Sequence, residues 1–95
     1  MIIEIIDKSG RKIHLTEERW KHLSKHPQVY NNLEWIKETL QQPTKITDYQ
    51  LDDKVRYYYR YYKKSVSPAK YLRVIVKYLN GDGFIVTAHF VEEIQ

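Results

Sequence analysis

The chain has 95 residues, 42% of them hydrophobic and 29% charged, and its formal net charge is +4. This size and composition predict one globular domain over residues 1–95 and exclude a disordered chain. Because there is no cysteine, disulfide bonds, thiolate metal ligands and a thiol nucleophile are excluded as well. No apolar run is long enough to span a bilayer, and the N-terminus lacks the features of a signal peptide. We therefore expect a cytoplasmic protein with no membrane partner.

In chain order, the apolar and turn-forming residues predict two strands, two helices and four further strands. Thr16 is the predicted N-cap of the first helix, because two glutamates follow it where the helix dipole favours negative charge. Pro27 predicts the end of that helix. We expect an α+β fold in which an N-terminal hairpin and two helices pack on an antiparallel sheet. The predicted strands cover residues 2–7, 12–15, 45–49, 55–62, 71–79 and 84–91, and the predicted helices cover 17–26 and 29–41.

The last two strands each present an apolar residue at every second position. Both apolar sets reach one core only if the connecting loop has an odd number of residues. We therefore predict a three-residue loop at 81–83, with Gly83 in the left-handed conformation. In this register Lys77 lies opposite Thr87. The residues predicted to share the more polar face of the sheet are Arg73, Lys77, Thr87 and His89.

A basic and aromatic segment runs from Lys54 to Lys77, with eight lysines or arginines, six tyrosines and no carboxylate. Cations follow a phosphate backbone and aromatic rings stack on unpaired bases, so this segment indicates a nucleic-acid partner. The alternative is that the tyrosines serve as strand formers and the charges line a solvated face. Within the strand 55–62, alternation separates two sets of side chains. We expect Arg56, Tyr58 and Arg60 on the binding face and Tyr59 and Tyr61 towards the core.

The first predicted helix carries Arg19, His22 and His26 on one stripe. A histidine facing a cationic sheet could act as a general acid or base near neutral pH. The alternative is a half-buried histidine satisfied by a backbone carbonyl. His22 and His26 also have the spacing of helical zinc ligands, but no cysteine and no glutamate in register supplies a third ligand. We therefore predict no metal and no other cofactor.

Two strand residues have both a catalytic and a structural interpretation. Lys77 is the lysine that we expect to be half-buried, where its charge could stabilise a phosphate transition state. Its stem could equally lie along the sheet with the ammonium group in water. Thr87 could donate a hydrogen bond to a phosphate oxygen, or it could be present simply because threonine favours strands.

Residues 15–27, LTEERWKHLSKHP, resemble the start of a known nuclease family. Residues 70–79, KYLRVIVKYL, and 83–88, GFIVTA, resemble later parts of the same family. It is the phage-type group of barnase–EndoU–colicin E5/D–RelE-like nucleases, and the resemblance covers nearly the whole chain from Leu15. It implies a helical pair followed by an antiparallel sheet, with metal-independent RNA cleavage on the sheet face.

The resemblance also implies roles for single residues. It places catalysis on His22 or His26 together with Lys77 and Thr87. Arg19 and Tyr59 would support them. The ribose 2′-hydroxyl would attack the adjacent phosphate after losing its proton to a base, which makes RNA the substrate. The wider fold group is known for toxins, so an antitoxin protein is a further expected partner. The residues expected to bind the substrate are Arg19, Arg56, Tyr58, Tyr59, Arg60, Arg73 and His89.

Two other functions remain open at this point. The basic and aromatic segment alone would suffice for a nucleic-acid-binding module without catalysis. A basic face could also dock an acidic antitoxin.

Overall fold

A computed structural model of the chain describes residues 3–23, 33–65 and 68–94. Within these residues the elements follow the predicted order, which confirms the α+β class and the N-terminal hairpin. Thr16 caps the first helix as predicted, because its Oγ1 accepts a hydrogen bond from the Arg19 amide at 3.2 Å. The predicted end of the first helix and start of the second lie outside the described residues. The elements are β1 (Ile3–Ile6), β2 (Lys12–Leu15), α1 (Glu17–Leu23), α2 (Leu33–Gln41), β3 (Lys45–Asp48), β4 (Val55–Tyr61), β5 (Tyr71–Leu79) and β6 (Asp82–Val91).

All six strands form one sheet in the order β1-β2-β6-β5-β4-β3. The prediction of an antiparallel sheet is wrong at one junction, because β2 pairs with β6 in parallel. The other four junctions are antiparallel. After β2 the chain passes through both helices and an up-and-down set of strands, and it returns beside β2 in the same direction. The sheet is therefore mixed, and it joins the N-terminal hairpin to the four later strands.

The hairpin of β5 and β6 turns through Asn80 and Gly81, which have φ angles of 55° and 90°. A two-residue turn with both residues left-handed matches the twist of the strands that it joins. The predicted three-residue loop and the left-handed Gly83 are therefore wrong. The odd offset that the apolar pattern requires comes instead from a bulge at Val86.

The bulge shifts the pairing of the two strands by one residue. Thr87 pairs with Ile75, so the predicted pairing of Thr87 with Lys77 is wrong. The prediction that these two side chains share a face is correct, because paired residues project to the same side of a sheet. The four residues that lie together on this face, as predicted, are Arg73, Lys77, Thr87 and His89.

Both helices pack against the other face of the sheet. The α2 helix contacts β1, β4 and β5, and α1 contacts β6. Neither described helix has the length and apolar character needed to cross a bilayer. The buried residues between helices and sheet are Ile5, Ile13, Leu15, Leu23, Ile36, Leu40, Tyr58, Leu72, Val74, Val76, Tyr78, Ile85 and Ala88.

We call the opposite side of the sheet, which no described helix covers, the open face. The cross-strand pairs determine its members, since each pair shares a side. Its polar and aromatic residues are Glu4, Lys12, His14, Lys45, Thr47, Tyr57, Tyr59, Tyr61, Tyr71, Arg73, Lys77, Asp82, Phe84, Thr87 and His89.

One buried carboxylate connects β1 to β4 and β5 through the core. Asp7 is only 4% exposed. Its Oδ1 accepts from the Ser9 amide at 2.9 Å, the Ser9 hydroxyl at 2.7 Å and the Arg11 amide at 2.9 Å. Its Oδ2 accepts from the hydroxyls of Tyr58 at 3.1 Å and Tyr78 at 2.7 Å. Burial alone would raise the pKa of Asp7, but these hydrogen bonds outweigh it and hold the pKa below its ordinary value.

Candidate functional site

Arg73 and His89 form a bonded pair at the centre of the open face. They lie directly opposite each other on β5 and β6. The Nε and Nη2 atoms of Arg73 lie 3.2 Å and 2.5 Å from His89 Nε2. A guanidinium group has donors only, so His89 Nε2 must be the acceptor and the ring proton must be on Nδ1. The pair is a fixed cation beside a neutral imidazole, and both side chains are half-buried.

A tyrosine ring contacts the guanidinium group of Arg73, and two further tyrosine rings lie beside that ring. The central carbon of the guanidinium group lies 5.2 Å from the centre of the Tyr57 ring, within the range of a cation–π contact. The Tyr57 ring is nearly parallel to that of Tyr49 and edge-on to that of Tyr59. Tyr59 pairs with Arg73 across β4 and β5, so it lies on the open face and not on the helix side where it was expected, although its side chain is fully buried. Its hydroxyl has no hydrogen-bond partner among the described residues.

A second aromatic pair lies further along the same strands. The rings of Tyr61 and Tyr71 meet edge-on with their centres 5.4 Å apart, and Tyr61 is exposed. The sequence predicted Tyr61 towards the core, and this is wrong. Tyr61 lies four residues after Tyr57, so the two positions are about 13 Å apart along β4. Arg73 pairs with the residue halfway between them. The half-buried ring of Tyr57 and the exposed ring of Tyr61 therefore lie on opposite sides of the guanidinium group.

Lys77 and Thr87 lie at different distances from the Arg73–His89 pair. Thr87 is two residues before His89 on the same face, about 7 Å away along the strand. Lys77 is four residues after Arg73 and about 13 Å away along the strand. The two side chains are therefore too far apart to form one compact site. The Lys77 side chain is 44% exposed, and its Nζ lies 3.4 Å from Asp52 Oδ2. Thr87 is thus the closer of the two to the pair.

The prediction that Arg56, Tyr58 and Arg60 share the binding face is wrong. Their partners on β5 are core residues, so all three side chains lie on the side that the helices cover. Tyr58 is fully buried. Arg56 Nε lies 3.5 Å from Asp48 Oδ1, and Arg60 donates from Nη1 to the Gln42 carbonyl at 2.5 Å, just after α2 ends. The two arginines therefore have structural partners on the helix side.

The helix stripe does not reach the open face within the described residues. Arg19 and His22 are exposed on α1, which packs on the core side through Leu23. They lie on the opposite side of the sheet from Arg73. His26 lies outside the described residues. The described part of the stripe is therefore separated from the strand residues that it was expected to meet.

Sequence analysis missed a second histidine on the open face. His14 Nε2 lies 3.0 Å from Asp82 Oδ2, and its ring lies 5.1 Å from that of Phe84. The parallel pairing of β2 with β6 creates this arrangement, and that pairing was not predicted. Alternation in β2 was the available signal, since it puts His14 on the side away from the core residue Ile13.

Comparisons with protein-family models, with curated proteins and with solved structures found no match. Function must therefore be inferred from the geometry of the open face. Among the described residues, no three histidine, aspartate or glutamate side chains are grouped as a set of metal ligands. The most distinctive chemical feature is the guanidinium–imidazole pair with a tyrosine ring on either side.

Proposed function

We propose that the protein is a metal-independent endoribonuclease that cleaves single-stranded RNA at the Arg73–His89 pair. The observation that supports this most directly is a guanidinium group bonded to a neutral imidazole on the sheet face that no described helix covers. The cation can bind a phosphate, and the imidazole can take a proton near neutral pH. The resemblance of the sequence to nucleases that act on a sheet face supports the same proposal. From that resemblance we also propose that the protein is a cytoplasmic toxin with an antitoxin partner.

The surroundings of the pair favour a single strand over a duplex. Aromatic rings stack on bases only where the bases are unpaired. Tyr57 and Tyr61 present rings on both sides of Arg73, so a strand lying across β4 could place its phosphate on Arg73 and its bases on the tyrosines. The positive charges on the open face attract the phosphate backbone of the RNA whatever its base sequence.

In the proposed reaction an incoming phosphate takes over the donors of Arg73. This releases the lone pair of His89 Nε2, which then accepts the proton of the ribose 2′-hydroxyl. The 2′ oxygen attacks phosphorus, the bond from phosphorus to the 5′ oxygen breaks, and the leaving oxygen takes a proton from a water molecule, whose hydroxide then takes the proton from His89. Arg73 neutralises the charge that develops on the phosphate, and the Thr87 hydroxyl donates to one of its oxygens. The products are a 2′,3′-cyclic phosphate and a 5′-hydroxyl.

The role of His89 is tested with His89→Ala in buffer that contains EDTA. We expect the cleavage rate of single-stranded RNA to fall by about a hundredfold, the usual scale for losing a general base. RNA affinity should stay within about twofold of wild type, because Arg73 retains its charge. The matched control is Lys37→Gln on α2, which should cleave at the wild-type rate. A His89→Ala protein that cleaves as fast as wild type would overturn the assignment.

A second candidate function is RNA binding without cleavage. The observation that favours it is that His89 Nε2 already accepts from two nitrogens of Arg73. If a bound phosphate does not displace that contact, His89 cannot act as the base. Wild-type protein would then bind single-stranded RNA and leave it intact.

A further inference from the structure

The turn between β3 and β4 carries an open surface cavity of about 560 Å³. It lies at the β3 edge of the open face, because Thr47 and Tyr57 pair across the two strands and share that side. No step of the proposed reaction uses it. The lining residues are Thr47, Asp48, Tyr49, Gln50, Leu51 and Tyr57.

The cavity presents apolar and aromatic surface to solvent. Leu51 is 84% exposed and Tyr49 is 38% exposed. The rings of Tyr49 and Tyr57 are within 17° of parallel, with centres 5.8 Å apart. Such a parallel offset pair forms a flat platform on which a third planar ring can stack. The Gln50 amide and the Thr47 hydroxyl add polar groups at the edge of the platform.

The turn that carries the platform is fixed by hydrogen bonds. The Tyr49 amide donates to the Val55 carbonyl at 3.1 Å, and the Val55 amide donates to the Asp52 carbonyl at 3.1 Å. The Asp52 carboxylate accepts from the Lys54 amide at 2.9 Å and is paired with Lys77. A site that is already ordered loses less conformational entropy when a ligand binds.

We propose that this cavity holds one unpaired nucleobase of the RNA, stacked on Tyr49 and flanked by Leu51. The inference rests on the proposed function, because it requires a strand on the open face. Tyr57 connects the two sites, since its ring lies in the cavity wall and also 5.2 Å from the Arg73 guanidinium carbon. A phosphate on Arg73 therefore places an adjacent base within reach of the platform.

Stacking predicts how the site discriminates between ligands. Every base has a π-face, so the identity of the base should matter little. The presence of the base should matter much more, and its removal should weaken binding by about tenfold. A duplex should compete poorly because its bases are already stacked on one another.

The test measures the affinity of the whole chain for a short 2′-fluoro RNA, which lacks the attacking hydroxyl and stays intact. An abasic site is moved through the sequence one position at a time. We expect one position at which the abasic site costs about tenfold in affinity. Tyr49→Ala should lower the affinity for intact RNA by a similar factor. It should bind the RNA with that abasic site as tightly as the wild-type protein does. Tyr49→Phe keeps the ring and should bind as wild type does.

The matched control is Tyr61→Ala, which removes an exposed tyrosine ring on the other side of Arg73. The loss of affinity caused by Tyr61→Ala should add to the loss caused by the same abasic position, because the two changes remove different contacts. Leu51→Ala provides a second variant at an exposed position, and it should show the same non-additive behaviour as Tyr49→Ala.

Failure of the subsite is distinguishable from failure of the proposed function. If wild-type protein binds the intact 2′-fluoro RNA, but no abasic position costs more than about twofold, the base subsite is wrong and RNA binding stands. The same holds if Tyr49→Ala weakens intact and abasic RNA equally. If wild-type protein does not bind the intact RNA, the proposed function and the subsite are both wrong.

Discussion

Asp7 shows how one residue determines the roles of several others. Its buried carboxylate requires hydrogen-bond donors inside the core, and the hydroxyls of Tyr58 and Tyr78 supply them. This demand explains why Tyr58 faces the helices although the sequence favoured Tyr58 for the binding face. Alternation along β4 correctly separates the two sets of side chains, but it does not say which set is inside. The deciding contact joins residues 51 positions apart and leaves no local signal.

We predict that Asp7→Asn destabilises the fold by about 3 kcal/mol, because it removes a charged acceptor and leaves buried donors without a partner. Urea unfolding measures this change. The matched control is Asp53→Asn, which removes a carboxylate at an exposed turn position and should have little effect. A change below about 0.5 kcal/mol for Asp7→Asn would show that the network adds little to stability.

The lowered pKa of Asp7 gives this prediction a pH dependence. The folded state binds the proton of Asp7 more weakly than the unfolded chain does, so the carboxylate stabilises the fold above its ordinary pKa. That contribution to stability begins to be lost as the pH falls below about 5. The loss is complete once the pH has fallen below the lowered pKa of folded Asp7. The difference in unfolding free energy between wild type and Asp7→Asn should shrink over the same range. A difference that stays constant would contradict the assignment.

At the scale of elements, the apolar alternation predicted which residues of β5 and β6 share a face, but not how the chain achieves it. The offset between the two apolar sets could come from the loop or from a bulge, and sequence alone does not choose. Asn80 and Gly81 are a strong local signal for a two-residue turn, and giving that signal more weight would have placed the irregularity within β6. The β2–β6 pairing links positions about seventy residues apart and has no such local signal.

Gly83 is required by the contact between β2 and β6. A Cβ added there would lie 2.5 Å from Ile13 Cδ1 and 2.8 Å from Val76 Cγ1. We expect Gly83→Ala to destabilise the fold by about 2 kcal/mol through overpacking. Ile13→Val removes the Cδ1 atom, so the double variant should lose less stability than the sum of the single changes. Unfolding free energies of the four proteins test this, and simple additivity would contradict it.

Across the whole molecule, the fold divides the basic segment between two sides. Sequence counting gave eight cations between Lys54 and Lys77, yet Arg56 and Arg60 lie on the helix side. Composition therefore identified the type of partner that we propose but overcounted the cations available to it. The lysines and arginines that the described strands place on the open face are Lys12, Lys45, Arg73 and Lys77.

This division predicts the salt dependence of RNA binding. If RNA contacts only the four cations that the strands place on the open face, the logarithm of the binding constant should fall against the logarithm of salt with a slope of about −3. Contact by all eight cations of the segment would give a slope near about −6. Lys45→Gln should make the slope shallower by about 0.7, and Arg56→Gln, which removes the same charge on the helix side, should not. Equal effects of the two variants would place RNA on both sides of the sheet.

The central claim is that the open face cleaves RNA through the ribose 2′-hydroxyl. It is tested most directly by incubating wild-type protein with single-stranded RNA in EDTA and identifying the new 3′ ends. We predict 2′,3′-cyclic phosphate ends from RNA and no cleavage of DNA with the same sequence. RNA that is bound yet remains intact from about pH 5 to about pH 9 would contradict the claim and leave only the binding function.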